Sequence, residues 1–344
     1  MDVSDLTDRL LLAIPKKGRL NEHCLTLLKG ADIQFHRRNR LDIALSTNLP
    51  LAIVFLPAAD IATYVGRGNV DLGITGEDVI AEAVAEDVEA GASKDEAKVT
   101  VLTKLGFGKC KLCVQVPVAS GFKTAKDLVG KRIVTSFGNV SRSFFDALEA
   151  GASEEEAARA LIAFFSTTSS SAPGGTATAI STSSTTTIHH ASGSVEAACA
   201  LGLADGIVDL VESGETMREA RLHAISTLLT SEAVLIANSA KYRSTNPASA
   251  HLALIDTLRR RIEGVVSAQK YLLCNYNIHR EKVKEAIKIT PGRKAATVSP
   301  LEDSEWVAVS AMVLKSEAAS VMDRLEAVGA SDVLVFQIHN SRVV

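Results

Sequence analysis

The 344-residue sequence is poor in aromatics: Phe, Trp and Tyr make up 4% of it, with a single Trp. A core short of large rings has to be filled by Val, Ile, Leu and Ala, which suits stacked helices and parallel strands buried on both faces. Cysteine is sparse as well. The five, at positions 24, 110, 113, 199 and 274, are odd in number and mostly scattered. That argues against a disulfide framework and fits a reducing compartment. Neither sign of charge dominates, since 37 Lys+Arg against 40 Asp+Glu leave a net −3. No global electrostatic reason remains for a nucleic-acid partner, so an anion site has to be a local cluster. The longest early apolar run, Leu10–Ile14, follows Asp5 and Asp8 and is too short for a signal-peptide core or a membrane span. The expectation is a cytoplasmic protein with no membrane partner.

What is present is a globular composition, 47% hydrophobic and 22% charged, with room for two or three domains. Apolar strands alternate with helical periods: "LLLAIP" before "HCLTLLKGAD", "LAIVFLP" at 51–57, and "VDLGITGEDVIAEA" at 70–83. This predicts an α/β fold with a mostly parallel sheet. "KCKLCVQVPV" (109–118) and "KRIVTSF" (131–137) read as strands of a second lobe. Residues 166–187 are Ser, Thr, Ala and Gly without charge or period, and read as a solvated insert. The core resumes with a helix near Ser194, strands at Gly206–Val211 and "EAVLIANS", and a long helix over 248–268. Beyond it the order β-α-β-β-α-β matches a ferredoxin-like unit.

Three stretches could carry chemistry. In "DGIVDLVESGET" (205–216), Asp209 ends a strand four residues after Asp205, and Ser213, Gly214, Glu215 and Thr216 form a small-residue turn into a helix. Carboxylates suit a vicinal diol and the turn suits a phosphate; a plain helix cap by Ser213 or Thr216 reads the same residues equally well. In "PKKGRL", Lys16, Lys17 and Arg19 surround Gly18 at a helix start, which is unfavourable to the helix dipole unless an anion sits there; three solvated charges are the alternative. In "DLGITGED" (71–78), Gly73 and Gly76 allow close backbone approach, while Asp78 reads more as a helix cap than as a ligand contact. Cys110 and Cys113 form a C-x-x-C inside a strand alternation, with neither a second pair nor a His beside it. Zinc and redox roles are both disfavoured.

Taken in order, "AIPKKGRL", "VDLGITGEDVI", "GSVEAACALGLADGIVDLVESGETM" and "ITPGRKAATVSPLEDSEWVAV" resemble the ATP phosphoribosyltransferase family, in its long form. The resemblance implies a two-lobed catalytic body like type II periplasmic binding proteins, plus a C-terminal ferredoxin-like (ACT-like) regulatory domain. It implies lobe I from 1–109 with 238–267, lobe II from 110–237 with the insert at about 152–187, and the histidine-sensing domain from 268–344. The implied reaction joins N1 of ATP to C1 of phosphoribosyl pyrophosphate and expels pyrophosphate with Mg²⁺. Hexamers and feedback inhibition by histidine are implied as well.

Matched motif to motif, Ser213, Gly214, Glu215 and Thr216 resemble the 5′-phosphate loop. Asp209 and Glu196 resemble the pair on the ribose hydroxyls, and with Arg19 they are the implied catalytic residues. Lys17, Gly18 and Arg19 would face pyrophosphate and nucleotide, with Asp71, Gly73 and Gly76 on the other wall. Asn277, Thr297 and Asp332 fall where relatives bind the effector. No residue is assigned as a metal ligand. One departure concerns Arg221, which stands where relatives commonly have Gly; if that position has positive φ, Arg221 is strained by about 1 kcal/mol.

Overall fold

A computed structural model describes residues 6–37, 41–89, 98–166, 185–243 and 250–342. The chain begins with β1 (Leu10–Pro15), α1 (Arg19–Gly30), β2 (Ile43–Leu45), β3 (Leu51–Leu56), α2 (Ile61–Gly66), β4 (Leu72–Gly76), α3 (Glu77–Glu89) and β5 (Val99–Lys104). It crosses into a second sheet with β6 (Cys110–Pro117), β7 (Arg132–Thr135), α4 (Gly138–Glu149), α5 (Glu154–Ser166) and β8 (Thr187–His190). That lobe continues through α6 (Ala197–Ala200), β9 (Gly206–Val211), α7 (Glu215–Glu219) and β10 (Leu222–Ser231). The chain returns to the first sheet as β11 (Ala233–Asn238), then forms α8 (Ser239–Tyr242) and α9 (Ala250–Gln269).

The two sheets repeat one plan. The first runs β2-β3-β1-β4-β11-β5 and the second β10-β6-β9-β7-β8. In each, three parallel strands (β3-β1-β4, and β8-β7-β9) are followed by an antiparallel strand that has just crossed from the other lobe. The sheets are therefore mixed rather than mostly parallel. A crossing strand enters from the opposite end, and antiparallel pairing is the arrangement that direction permits. Apolar runs such as Leu12, Ala13 and Ile14 in β1 are fully buried, as strands covered on both faces require.

Two segments differ from expectation. Residues 154–166 of the expected insert form α5, whose Ala157 and Leu161 pack into the core of lobe II. Three glutamates in its first turn favour that helix through its dipole. The remaining Ser/Thr-rich part, 167–184, lies outside the described residues. Strand β10 was not legible, because register shifts between Ala224 and Ser226 and between Thr227 and Leu229 break its alternation.

By compactness the chain divides into residues 1–24 with 35–254, which hold both lobes, and residues 25–34 with 255–344. The second unit contains β12 (Tyr271–His279), α10 (Val283–Ile289), β13 (Thr297–Pro300), β14 (Trp306–Leu314), α11 (Ala318–Ala327) and β15 (Ser331–Gln337). Its antiparallel sheet, β13-β14-β12-β15, has the ferredoxin-like order expected. Cys274, Tyr276 and Ile278 alternate toward Ala286, Val321 and Leu325 of the helices. Among the described residues no helix is long and apolar enough to cross a membrane.

Arg221 does take the left-handed conformation, φ 53°. It follows α7 as an αL cap, its N–H donating to the Arg218 carbonyl at 3.0 Å. Arg221→Gly is therefore expected to raise stability by about 0.5–1 kcal/mol, read as a higher urea midpoint. A lowered midpoint contradicts this reading.

Candidate active site

The carboxyl ends of β1, β4, β7 and β9 meet at one cleft of about 470 Å³ between the two lobes. Lobe I contributes Arg19, Leu20, His23, Ala58, Ala59, Gly76, Asp78 and Val79. Lobe II contributes Ser136, Phe137 and the run from Asp209 to Met217. Strand ends are where a parallel sheet leaves its loops free to hold a ligand.

Asp209 sits near the end of β9, level with Cys113 of β6. Burial pushes its carboxyl above the ordinary 3.8; the Leu210 N–H, 2.8 Å from Oδ1, works the other way, and the charge of Glu196 adds to the rise. The structure thus brings Glu196 into the electrostatic range of Asp209. Asp205 does not share the site. Its carboxylate is gripped by Arg132, with Nε to Oδ2 and Nη2 to Oδ1 both at 3.1 Å, and stabilises lobe II instead.

Ser213, Gly214, Glu215 and Thr216 all line the cleft. Gly214 has φ 73°, a conformation that costs a side chain dearly, and starts α7 without a side-chain cap. The Ser213 hydroxyl accepts the Glu215 N–H at a long 3.4 Å, too weak to make this turn a fully satisfied cap. Glu215 is exposed.

Arg19, the first residue of α1, reaches across the cleft to pair with Glu212. Lys17 and Gly18 are exposed beside it and are not among the lining residues. Gly18 has φ 84°, and its carbonyl accepts the Asn21 N–H at 3.0 Å, so it shapes the loop that delivers Arg19. Lys16 is held by Asp42 at 2.7 Å.

Of the wall residues expected from "DLGITGED", only Gly76 reaches the cleft. Asp71 lies at the opposite end of β4, where its carboxylate accepts the Leu11 N–H at 2.8 Å and pairs with Lys241 at 2.7 Å. Gly73 is a packing position. A Cβ there would come within 2.6 Å of Ile61 Cγ2 and 2.9 Å of Val65 Cγ2. Asp78, read as a cap, is buried at the cleft and bonded to Ser231, and burial pushes its carboxyl upward. Ser136 and Phe137 were missed; their position just after β7 was the signal available. Cys110 lines the same cleft, but burial pushes its thiol up to about 12, so it stays protonated and unreactive.

In the C-terminal sheet, Asn277 and Asp332 meet, Nδ2 to Oδ2 at 3.0 Å, and Asp332 has φ 51°. Thr297 pairs in register with Ser310 on β14, which in turn faces Asn275 of β12. It shares the face opposite the helices with Asn277 but does not touch it.

A family model described as ATP phosphoribosyltransferase matches residues 57–264, and one described as the C-terminal domain of the same family matches 268–340. The chain belongs to the ATP phosphoribosyltransferase family. It is 51% identical over 341 residues to the ATP phosphoribosyltransferase of Yarrowia lipolytica and 47% identical to that of Saccharomyces cerevisiae, in both cases covering 99% of each chain. A chain of an ATP phosphoribosyl transferase complex from Thermotoga maritima, 23% identical, has the same fold at a TM-score of 0.50, covering 74% of this chain and 98% of that one. The chain is thus a pentosyl-transferring enzyme of the first step of histidine biosynthesis, of the long form that carries the C-terminal domain.

The half-buried Asp209 carboxyl gives the site a pH signature. A carboxyl raised in the fold holds its proton more tightly folded than unfolded, so its stabilising contribution is complete below its ordinary value and is lost as pH rises through the raised one. Asp209→Asn should therefore gain on the parent in urea midpoint between a pH below 3.8 and neutrality. A midpoint difference that does not vary with pH contradicts the burial argument.

Proposed function

We propose that the cleft transfers the phosphoribosyl group of phosphoribosyl pyrophosphate to N1 of ATP, releasing pyrophosphate. The carrying observation is that Asp209, two residues before the end of β9, lines one cleft together with the 213–216 turn and Arg19. The turn would take the 5′-phosphate, and Asp209 with Glu196 the ribose hydroxyls. N1 of adenine owns a lone pair and needs no obligate base. The barrier lies in the positive charge developing at C1 and the negative charge building on the leaving pyrophosphate. Fixed carboxylates near the ribose answer the first and Arg19 the second.

The cleft is acidic: Asp78, Asp209, Glu212 and Glu215 line it, with Arg19 as the lining Lys or Arg. Among the described residues no three His, Cys, Asp or Glu come together to hold a metal ion. That donor set does not fit a resident Mg²⁺. It fits an ion that arrives with the substrate phosphates, and in this reading Mg²⁺ belongs to the substrates.

For the second unit the same reading gives feedback inhibition by histidine at Asn277, Thr297 and Asp332, supported by the contact between Asn277 and Asp332. It also gives a homo-hexamer, supported by the edge strand β15, whose Leu334, Val335 and Phe336 are exposed. The cytoplasm is the proposed compartment.

The test is pyrophosphate release, expected when ATP, phosphoribosyl pyrophosphate and Mg²⁺ are supplied together. Tight solute binding without turnover would favour a binding protein, and turnover with a free base would favour another phosphoribosyltransferase. Asp209→Asn should lower kcat by about 10²-fold or more. Thr216→Val should raise KM for phosphoribosyl pyrophosphate by about tenfold; an unchanged KM removes the phosphate-loop assignment. Isothermal titration of histidine into the full chain should give a heat that Asp332→Ala reduces.

A further inference from the structure

Helix α3 belongs to both lobes. Its Ile80 is buried in the core of lobe I, while Ala81 and Ala85 are buried in the core of lobe II against Val140, Phe144 and Leu148. Alanines one turn apart let α3 and α4 approach closely. Between those two faces lies Glu82, whose carboxylate points at the start of α4. Oε1 accepts the Asn139 N–H at 2.8 Å and Oε2 accepts the Val140 N–H at 3.0 Å. Helix α4 has no side-chain cap of its own, since Phe137 stands at the N-cap. A carboxylate from the other lobe therefore does the work of a cap, satisfying two amides that a helix leaves orphaned.

The tie is close to the chemistry without entering it. Gly76 at the end of β4, and Asp78 and Val79 about one turn before Glu82 on α3, line the cleft, as do Ser136 and Phe137 at the entry to α4. Glu82 itself is not a lining residue. We infer that Glu82 is a positioning residue: it locks the first turns of α3 and α4 together and so holds the two cleft walls in one register, without touching substrate. The bidentate geometry is selective. Glutamine offers one acceptor oxygen and turns an NH₂ toward the second amide, and alanine offers nothing.

The kinetic half of this inference rests on the proposed transfer reaction, and the structural half does not. Amide exchange in the full-length, ligand-free protein should quicken by about tenfold or more at Asn139 and Val140 in Glu82→Ala, with a smaller rise in Glu82→Gln. In turnover, walls out of register should admit water to C1. Each variant should then release more ribose 5-phosphate plus pyrophosphate, the water-attack products, per phosphoribosyl-ATP formed, and kcat should fall by about tenfold in the alanine variant. If Glu82→Ala does not fold, the glutamine variant carries both measurements. Unchanged exchange at the two amides overturns the inference. So does a rate loss with an unchanged ratio of water attack to transfer, which would mark Glu82 as a stabilising residue only. Absence of transfer in the parent would sink the proposed reaction and leave the exchange result standing.

Discussion

The double crossing of the chain between its two sheets is the constraint on which the rest depends. Lobe I cannot close its sheet without β11, which arrives only after lobe II is complete, and lobe II uses β6 straight after lobe I. The first sheet is therefore discontinuous in sequence, interrupted by the whole of the second, β6 to β10. Helix α3 repeats the arrangement in side chains, giving apolar residues to both cores. The crossover itself is stapled: Lys104 pairs with Glu77 at 2.9 Å and with Glu232 at 3.4 Å, and Ser231 binds Asp78. A cleft built there inherits its geometry from two cores at once. That is a better source of fixed distances than a loop on one lobe.

The second organising fact is electrostatic. The cleft is lined by more carboxylates than lysines and arginines, and three of its four acids have distinct environments. Glu212 is engaged by Arg19, Asp78 is buried against Ser231, and Asp209 is half-buried with its carboxyl raised. A carboxylate deprived of water interacts more strongly with a positive charge forming nearby than a solvated one does. The burial that raises Asp209 is thus consistent with the proposed stabilisation of a cationic sugar.

Short-range features were readable in the sequence, and long-range ones were not. Strand Gly206–Val211, helix α9 and the β-α-β-β-α-β order of the second unit follow from hydrophobic period and turn chemistry alone. So did the small-residue turn at 213–216, whereas the left-handed position at Arg221 came from the resemblance, through the Gly that relatives commonly carry there. The errors share a cause. Asp71 and Gly73 sit in the same motif as Gly76, but a strand has two ends, and a motif does not say which residues lie at the end that opens on the cleft. Asp205 looked like a partner of Asp209 until Arg132, 73 positions away, proved to hold it. Glu82 carried no local signal, because its partners belong to another lobe.

Three departures from local rules fall between Asp209 of β9 and the start of β10. Within thirteen residues the chain half-buries an acid at Asp209, starts a helix from a left-handed glycine at 214 and ends it on a left-handed arginine at 221. A surface connection between two strands would need none of these, since a two- to five-residue turn joins neighbouring elements at no cost in strain. Left-handed conformation at a non-glycine residue persists only where surroundings over-determine it. Here they do. The Arg221 N–H and C=O are both used, by Arg218 and by Val118, so the strained residue welds the end of α7 to the edge of the β6–β10 pair. The C-terminal end of the five-residue α7 is therefore anchored to a strand. A helix that short has little stability of its own, and anchoring it is what turns the 213–216 turn into a fixed feature of the cleft.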